Sequence, residues 1–223
     1  MPLVFDVYGT LLDVDAAARE AAAEPGMSAL KDNWAPLSAA WRQRQLSYSW
    51  LRTLMGKYVD FWQITTDALD VTLDELEIGD PVVRERLLQL YTRLSAYDEV
   101  PGQLKAMKEA GYQLGVLSNG SPSMLQSALE GANILAFLDQ VLSVDDIGIY
   151  KPDMRVYARV TEAYGCAAGD VTFFSSNNWD VAGAGTFGFR TVWVNRAGRI
   201  WDDLPGSPDH VVSSIAEAMP LIS

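Results

Sequence analysis

Four short clusters in this chain carry groups able to do nucleophilic or acid–base chemistry: Asp6 with Thr10, Ser118-Asn119-Gly120-Ser121, Lys151-Pro152, and Ser175-Ser176-Asn177-Asn178-Trp179-Asp180. The first is the most informative. Leu3-Val4-Phe5 is a short apolar run that ends abruptly in Asp6, the pattern of a buried strand with a carboxylate at its C-terminal edge. In open α/β sheets that edge is where ligands bind. Gly9 lets the chain turn, and the Thr10 hydroxyl is near enough in sequence to hold the carboxylate in place. A carboxylate is already ionised at neutral pH, so it is a usable nucleophile once it is desolvated and aimed at carbon. The alternative is an Asp6 that merely ends a strand and caps a loop, and the rest of the chain has to decide.

The elements that position these groups follow from periodicity. Residues 14–97 contain almost no strand-like runs and long stretches with helical spacing, which describes a helical lobe. From Pro101 onward the patterns alternate: helix over 102–110, strand 113–118, helix 122–130, strand 141–143, helix 153–164, strand 171–174, helix 181–187 and strand 191–194. A short strand at 211–212 and a last helix over 215–221 complete the series. Alternation of this kind specifies an α/β fold, a Rossmann-like parallel sheet with helices on both faces. Since the first strand must join that sheet, residues 1–13 and 98–223 form the core and 14–97 an inserted helical cap. Each polar cluster then falls at a strand end or in the loop beyond it. Singly, each has a bland explanation: a Ser-Asn-Gly turn, a helix N-cap, a solvated loop lysine. Jointly they would be four coincidences at the correct ends of the correct strands.

Composition narrows the function. Seventeen basic against twenty-nine acidic residues give a net charge of −12, which repels nucleic acid and anionic membrane surfaces. No apolar run approaches the ~18 residues of a membrane span, no leader pattern precedes the first strand, and the single Cys166 excludes an intrachain disulfide framework. The expectation is a soluble, cytoplasmic protein with neither nucleic-acid nor membrane partner. His210 is the only histidine and lies beside the last strand, so an imidazole base is disfavoured. Neither a G-x-D-x-G nor a G-x-S-x-G elbow is present, which excludes an enzyme of the α/β-hydrolase type.

The order Asp6, Ser118-Asn119, Lys151-Pro152, Asp180 resembles the four successive motifs of the haloacid dehalogenase superfamily over nearly the whole chain. Phosphatases of that superfamily carry further acids that complete a Mg²⁺ site. Here those positions are Tyr8 and Ser176, and hard divalent ions need several carboxylate oxygens. The departure points to the L-2-haloacid dehalogenase family, which needs no metal or other cofactor. Trp41-Arg42-Gln43-Arg44-Gln45-Leu46-Ser47-Tyr48, Leu117-Ser118-Asn119-Gly120-Ser121-Pro122, Tyr150-Lys151-Pro152-Asp153 with Tyr157, and the cluster from Ser175 to Asp180 are similar to that family's motifs.

The resemblance implies a small 2-halocarboxylate substrate and a homodimer. It makes Asp6 the nucleophile, supported by Thr10, with Lys151 keeping it ionised and Ser118 and Asn119 holding the substrate carboxylate. Arg42 collects the halide beside Asn119. Tyr8, Gln43, Leu46, Phe61 and Trp179 are expected to line the substrate pocket. Asp180 is the candidate base for ester hydrolysis, with Lys151, Ser175 and Asn177 positioning it and the water, and Tyr157 orienting Lys151 or the substrate carboxylate. Simpler explanations stand beside these. Arg42 could be a solvated charge, Asp180 a first-turn helix acid stabilised by the dipole, and Leu46, Trp50 and Leu54 a core stripe, the better reading for Trp50 and Leu54. The irregular connection over 24–36 either reshapes the pocket mouth or is a tolerated surface loop. Two other functions remain open: a Mg²⁺-dependent phosphatase of the same superfamily and a catalytically idle binding protein for small carboxylates.

Overall fold

The computed structural model describes residues 1–222. Six strands, β1 (Pro2–Phe5), β2 (Gln113–Ser118), β3 (Gln140–Ser143), β4 (Thr172–Ser175), β5 (Arg190–Val194) and β6 (His210–Val212), form one sheet. Their order is β3-β2-β1-β4-β5-β6, and every pairing is parallel. Parallel neighbours require crossovers, supplied by α5 (Val100–Glu109), α6 (Pro122–Gly131), α7 (Met154–Tyr164) and α8 (Asn178–Phe187). The direction of winding reverses at β1, which distributes these helices to both faces and opens a crevice at the strand ends between β1 and β4. The register makes that crevice specific. Phe5 pairs with Phe174 on one side and Val116 on the other, so Asp6 lies level with Ser175 and one residue short of Ser118.

Leu3, Val4 and Phe5 are fully buried, as a central parallel strand requires, and Phe5 stacks on Phe174 at 4.7 Å. Between β1 and the crossover helix α5 lie four more helices, α1 (Ala16–Ala23), α2 (Trp34–Met55), α3 (Phe61–Glu75) and α4 (Pro81–Tyr91), the expected cap. Their ends obey local rules. Asp60 accepts from the Gln63 amide at 2.8 Å and Asp80 from the Val82 amide at 2.8 Å, each capping a helix start, with Pro81 at the first position of α4. Gly56 ends α2 with φ of +61°.

Polar contacts seat the cap on the core on two sides. The two linkers pair with each other: the Asp13 amide donates to the Ser95 carbonyl and the Tyr97 amide to that of Leu11. Arg196, after β5, clamps this junction, donating to the Thr10 carbonyl at 2.9 Å, pairing with Glu99 and lying 3.7 Å over the Tyr97 ring. On the other side, Tyr58 bonds Asp145, the Tyr150 amide donates to the Thr53 hydroxyl, and the Tyr150 hydroxyl donates to the Val59 carbonyl.

Two expectations need correction. The last helix over 215–221 is broken into a short 3-10 turn (Ile215–Glu217) and α9 (Met219–Ile222). Pro220 has no amide hydrogen and its ring would collide with the Ala216 carbonyl in a continuous helix. Helix α8 begins at Asn178 rather than 181, so Trp179 and Asp180 stand in its first turn. The 24–36 connection belongs to the cap surface: Glu24 pairs with Arg86 of α4, while Met27 and Leu30 are buried.

Candidate active site

Asp6 is the first residue beyond β1, and its amide donates to the Phe174 carbonyl at 2.8 Å, extending the ladder by one bond. Its side chain is only 5% exposed, and the two carboxylate oxygens are treated differently. Oδ2 accepts from Asn177 Nδ2 at 2.8 Å, Thr10 Oγ1 at 3.0 Å and Ser175 Oγ at 3.4 Å. Oδ1 accepts from the Lys151 ammonium alone among the described residues, at 3.1 Å. One oxygen is thus fixed by three groups while the other keeps lone pairs available.

Gly9 makes this loop possible. Its φ of +89° is strained for any residue with a side chain, and a Cβ there would lie 3.3 Å from Ser176 Oγ. Thr10 then accepts from the Ser176 amide at 2.8 Å while its proton points to Asp6, locking the first loop to the last one.

Lys151 is 1% exposed and reaches both Asp6 and Asp180, the latter at 2.8 Å. Burial works to lower its pKa, but Asp180 and Asp6 outweigh burial and hold it above the usual lysine value. Its own amide donates to Asn119 Oδ1 at 3.0 Å, which leaves the Asn119 amino group as the part of that side chain able to donate to a ligand. Asp180 is fully buried, and burial pushes its carboxyl up to about 6, opposed by Lys151 and reinforced by Asp6. It is also a first-turn acid of α8, as the simple reading expects.

Tyr157 donates to Asp180 Oδ1 at 2.8 Å. It therefore holds the candidate base, and touches neither the Lys151 ammonium nor an open space. Ser175 and Asn177 likewise act on Asp6 rather than on Asp180: the Ser175 hydroxyl accepts from the Asn177 amide at 3.1 Å and donates toward Asp6.

The cap closes the crevice with aromatic groups. Arg42, partly buried, donates from Nη2 to the Tyr8 carbonyl at 3.3 Å, so this guanidinium stands over the loop that follows Asp6. Tyr8 stacks on Tyr91 at 5.9 Å and meets Phe61 at 6.2 Å. Leu46, half-buried, follows Arg42 by one helical turn on the same face of α2. Trp179 meets Trp50 edge-on at 5.4 Å, a contact between α8 and α2. Ser118 is buried and its hydroxyl accepts from the Gly120 amide at 3.1 Å, leaving its proton free to donate.

Gln43 does not join this group. It is exposed, on the outer face of the cap with Ala40, Arg44, Ser47 and Glu75, because one residue beyond Arg42 turns the side chain about 100° around the helix. The buried carboxamide is Gln45, bonded to Thr65 and Tyr91. The core stripe fails too, since Leu54 is 83% exposed and Trp50 faces the crevice. Tyr91 and the Ser176 hydroxyl are neighbours of the site that periodicity alone did not single out, and Trp50, which periodicity marked as core, meets Trp179 instead.

A family model described as haloacid dehalogenase-like hydrolase matches residues 3–188. The (S)-2-haloacid dehalogenase 1 of Pseudomonas sp. (strain CBS-3) is 46% identical over 98% of this chain and 95% of its own. A crystal structure of a dehalogenase with an intermediate complex superposes with a TM-score of 0.93 at 44% identity, covering 99% of this chain and 96% of that one. The L-2-haloacid dehalogenase of Xanthobacter autotrophicus with chloropropionic acid covalently bound gives 0.88 at 34% identity, covering 99% and 97%. With the acids, the lysine and the aromatic wall assembled on a parallel sheet in this order, the chain belongs to the haloacid dehalogenase-like hydrolases, alongside the (S)-2-haloacid dehalogenases.

Proposed function

We propose that this protein is an (S)-2-haloacid dehalogenase, a hydrolase that converts an (S)-2-haloalkanoic acid and water into the (R)-2-hydroxyalkanoic acid and halide. The observation that carries the mechanism is the asymmetry of Asp6, with Oδ2 fixed by three donors and Oδ1 shared only with Lys151. The substrate carboxylate is held by Ser118 and Asn119, which places carbon 2 for backside attack by Asp6 Oδ1. The new O–C bond forms as the carbon–halogen bond breaks, the pair leaves with the halide toward Arg42, and the centre inverts. Tyr8, Leu46, Phe61 and Trp179 exclude water from this step.

Water then attacks the Asp6 ester carbonyl carbon. Asp180 takes one of its protons and returns it to the departing hydroxyl oxygen, and the second proton leaves for solvent as Asp6 is restored to a carboxylate. No metal step is required in this scheme, because the Lys151 ammonium occupies the space between the two carboxylates where a divalent ion would compete. The single cysteine, Cys166, fits a reducing cytoplasm, which cell fractionation checks. The exposed Leu51, Leu54 and Met55 at the end of α2 support a homodimer, for which sedimentation is expected to give twice the 24.5 kDa chain mass; a monomer at micromolar concentration removes it.

A single turnover in ¹⁸O-water with enzyme in excess and EDTA present tests the covalent route. The label is expected in the Asp6 carboxylate and not in the first hydroxy acid, with Asp6→Asn inactive yet folded. Label in the first product and never in Asp6 would recast Asp6 as a general base, and phosphate release that requires Mg²⁺ without dehalogenation would favour the phosphatase.

A further inference from the structure

The aromatic wall contains one group that a wall does not need. The Tyr8 ring is fixed by Tyr91 and Phe61, and its carbonyl accepts from Arg42 and Asn177. Its hydroxyl is fully enclosed and has no hydrogen-bond partner among the described residues, although the side chain is only 3% exposed. A Cβ built on Gly120 would stand 3.2 Å from that oxygen, so the hydroxyl lies directly over Gly120, next in sequence to Asn119. Burial, then Tyr91, raises the phenol well above its ordinary pKa, with Arg42 opposing and Asp6 adding to the rise, so the group stays protonated. A protonated phenol with no acceptor is a donor in waiting, and buried polar groups are left unpaired only where something outside the fold completes them. Every ring contact would be equally available to phenylalanine.

We propose that the Tyr8 hydroxyl donates a hydrogen bond to the departing halide, together with Arg42, and thereby sets the preference among halogens. The inference rests on the reading of the chain as a haloacid dehalogenase. As Asp6 Oδ1 bonds carbon 2 and the carbon–halogen pair moves onto the halide, the phenol keeps its proton and only donates. Charge appears at the halide in the transition state and not in the substrate, so the donor acts on rate. A small, hard leaving group concentrates that charge more than a large one, and its departure depends more on the donor.

Tyr8→Phe deletes one oxygen that has no hydrogen-bond partner among the described residues, so the variant keeps every ring contact of the parent. Rapid-quench single turnovers of (S)-2-chloropropionate and (S)-2-bromopropionate are compared in parent and variant. Asp6 alkylation is expected to slow about tenfold with the chloro acid and only about threefold with the bromo acid. Ester hydrolysis is expected to be unchanged. Equal slowing with both substrates, or no change with either, overturns the inference while leaving the proposed function standing. A parent protein that frees no halide overturns both.

Discussion

Three charged side chains share one dry space, and their protonation states divide the labour. Asp180 titrates near 6 because burial penalises its anion, and only the anion can accept a proton from water. Below that pH the ester should therefore form and persist. Rapid-quench measurements at pH 5 are expected to show alkylated Asp6 accumulating, with its hydrolysis falling about tenfold per pH unit as the ionised fraction falls. If alkylation and hydrolysis decline together, Asp180 is not the base. Asp6 was legible in the sequence because a carboxylate directly after an apolar strand has few other reasons to be there, and Lys151 and Asp180 because they follow it in the order of the family's motifs. Gln43 and the partner of Tyr157 were not, because spacing along a helix fixes relative angles but not which way the whole helix faces. Arg42 facing inward excludes Gln43 from the site, and that orientation is set by packing of α2 on α3, Trp41 donating to the Thr65 carbonyl at 2.8 Å.

At the scale of elements, strand β2 stands at 113–118 as its pattern requires, and the alternation of helices and strands after residue 100 is the observed one. Strands buried on both faces announce themselves as uninterrupted apolar runs. Boundaries were less legible where polar residues serve two purposes. Asn177 is the N-cap position of α8, yet its side chain goes to Asp6, so α8 starts in the middle of the polar cluster around Asp6. The turn after β1 is the element on which most depends. Gly9→Ala puts a side chain at φ of +89° with Ser176 Oγ at 3.3 Å. The expected cost is about 1–2 kcal/mol of stability by denaturant titration, with a slower alkylation step because the Thr10–Asp6 bond shifts. A variant with unchanged stability and rate would show that the loop relaxes freely.

For the whole molecule, the charge of −12 and the insertion of a helical cap were both readable, the first by counting and the second because β1 must rejoin a sheet that resumes a hundred residues later. The seating of cap on core was not. It depends on pairs such as Tyr58 with Asp145, 87 residues apart, and on Arg196 reaching back to Thr10, neither of which leaves a local signature. No helix among the described residues is long and apolar enough to cross a membrane. The excess negative charge also opposes approach of an anionic substrate from a distance, so affinity has to come from short-range donors inside the crevice, beyond the reach of the outer acids.

The edge-on meeting of Trp50 and Trp179 gives the protein a built-in optical gauge. One indole rides on the cap and the other on the core, with ring centres 5.4 Å apart. Chromophores this close share their excited states, and the resulting paired band in the near-ultraviolet circular dichroism depends steeply on their separation and angle. Any change in how the cap sits on the core alters both, so the band reports that seating in the unlabelled protein.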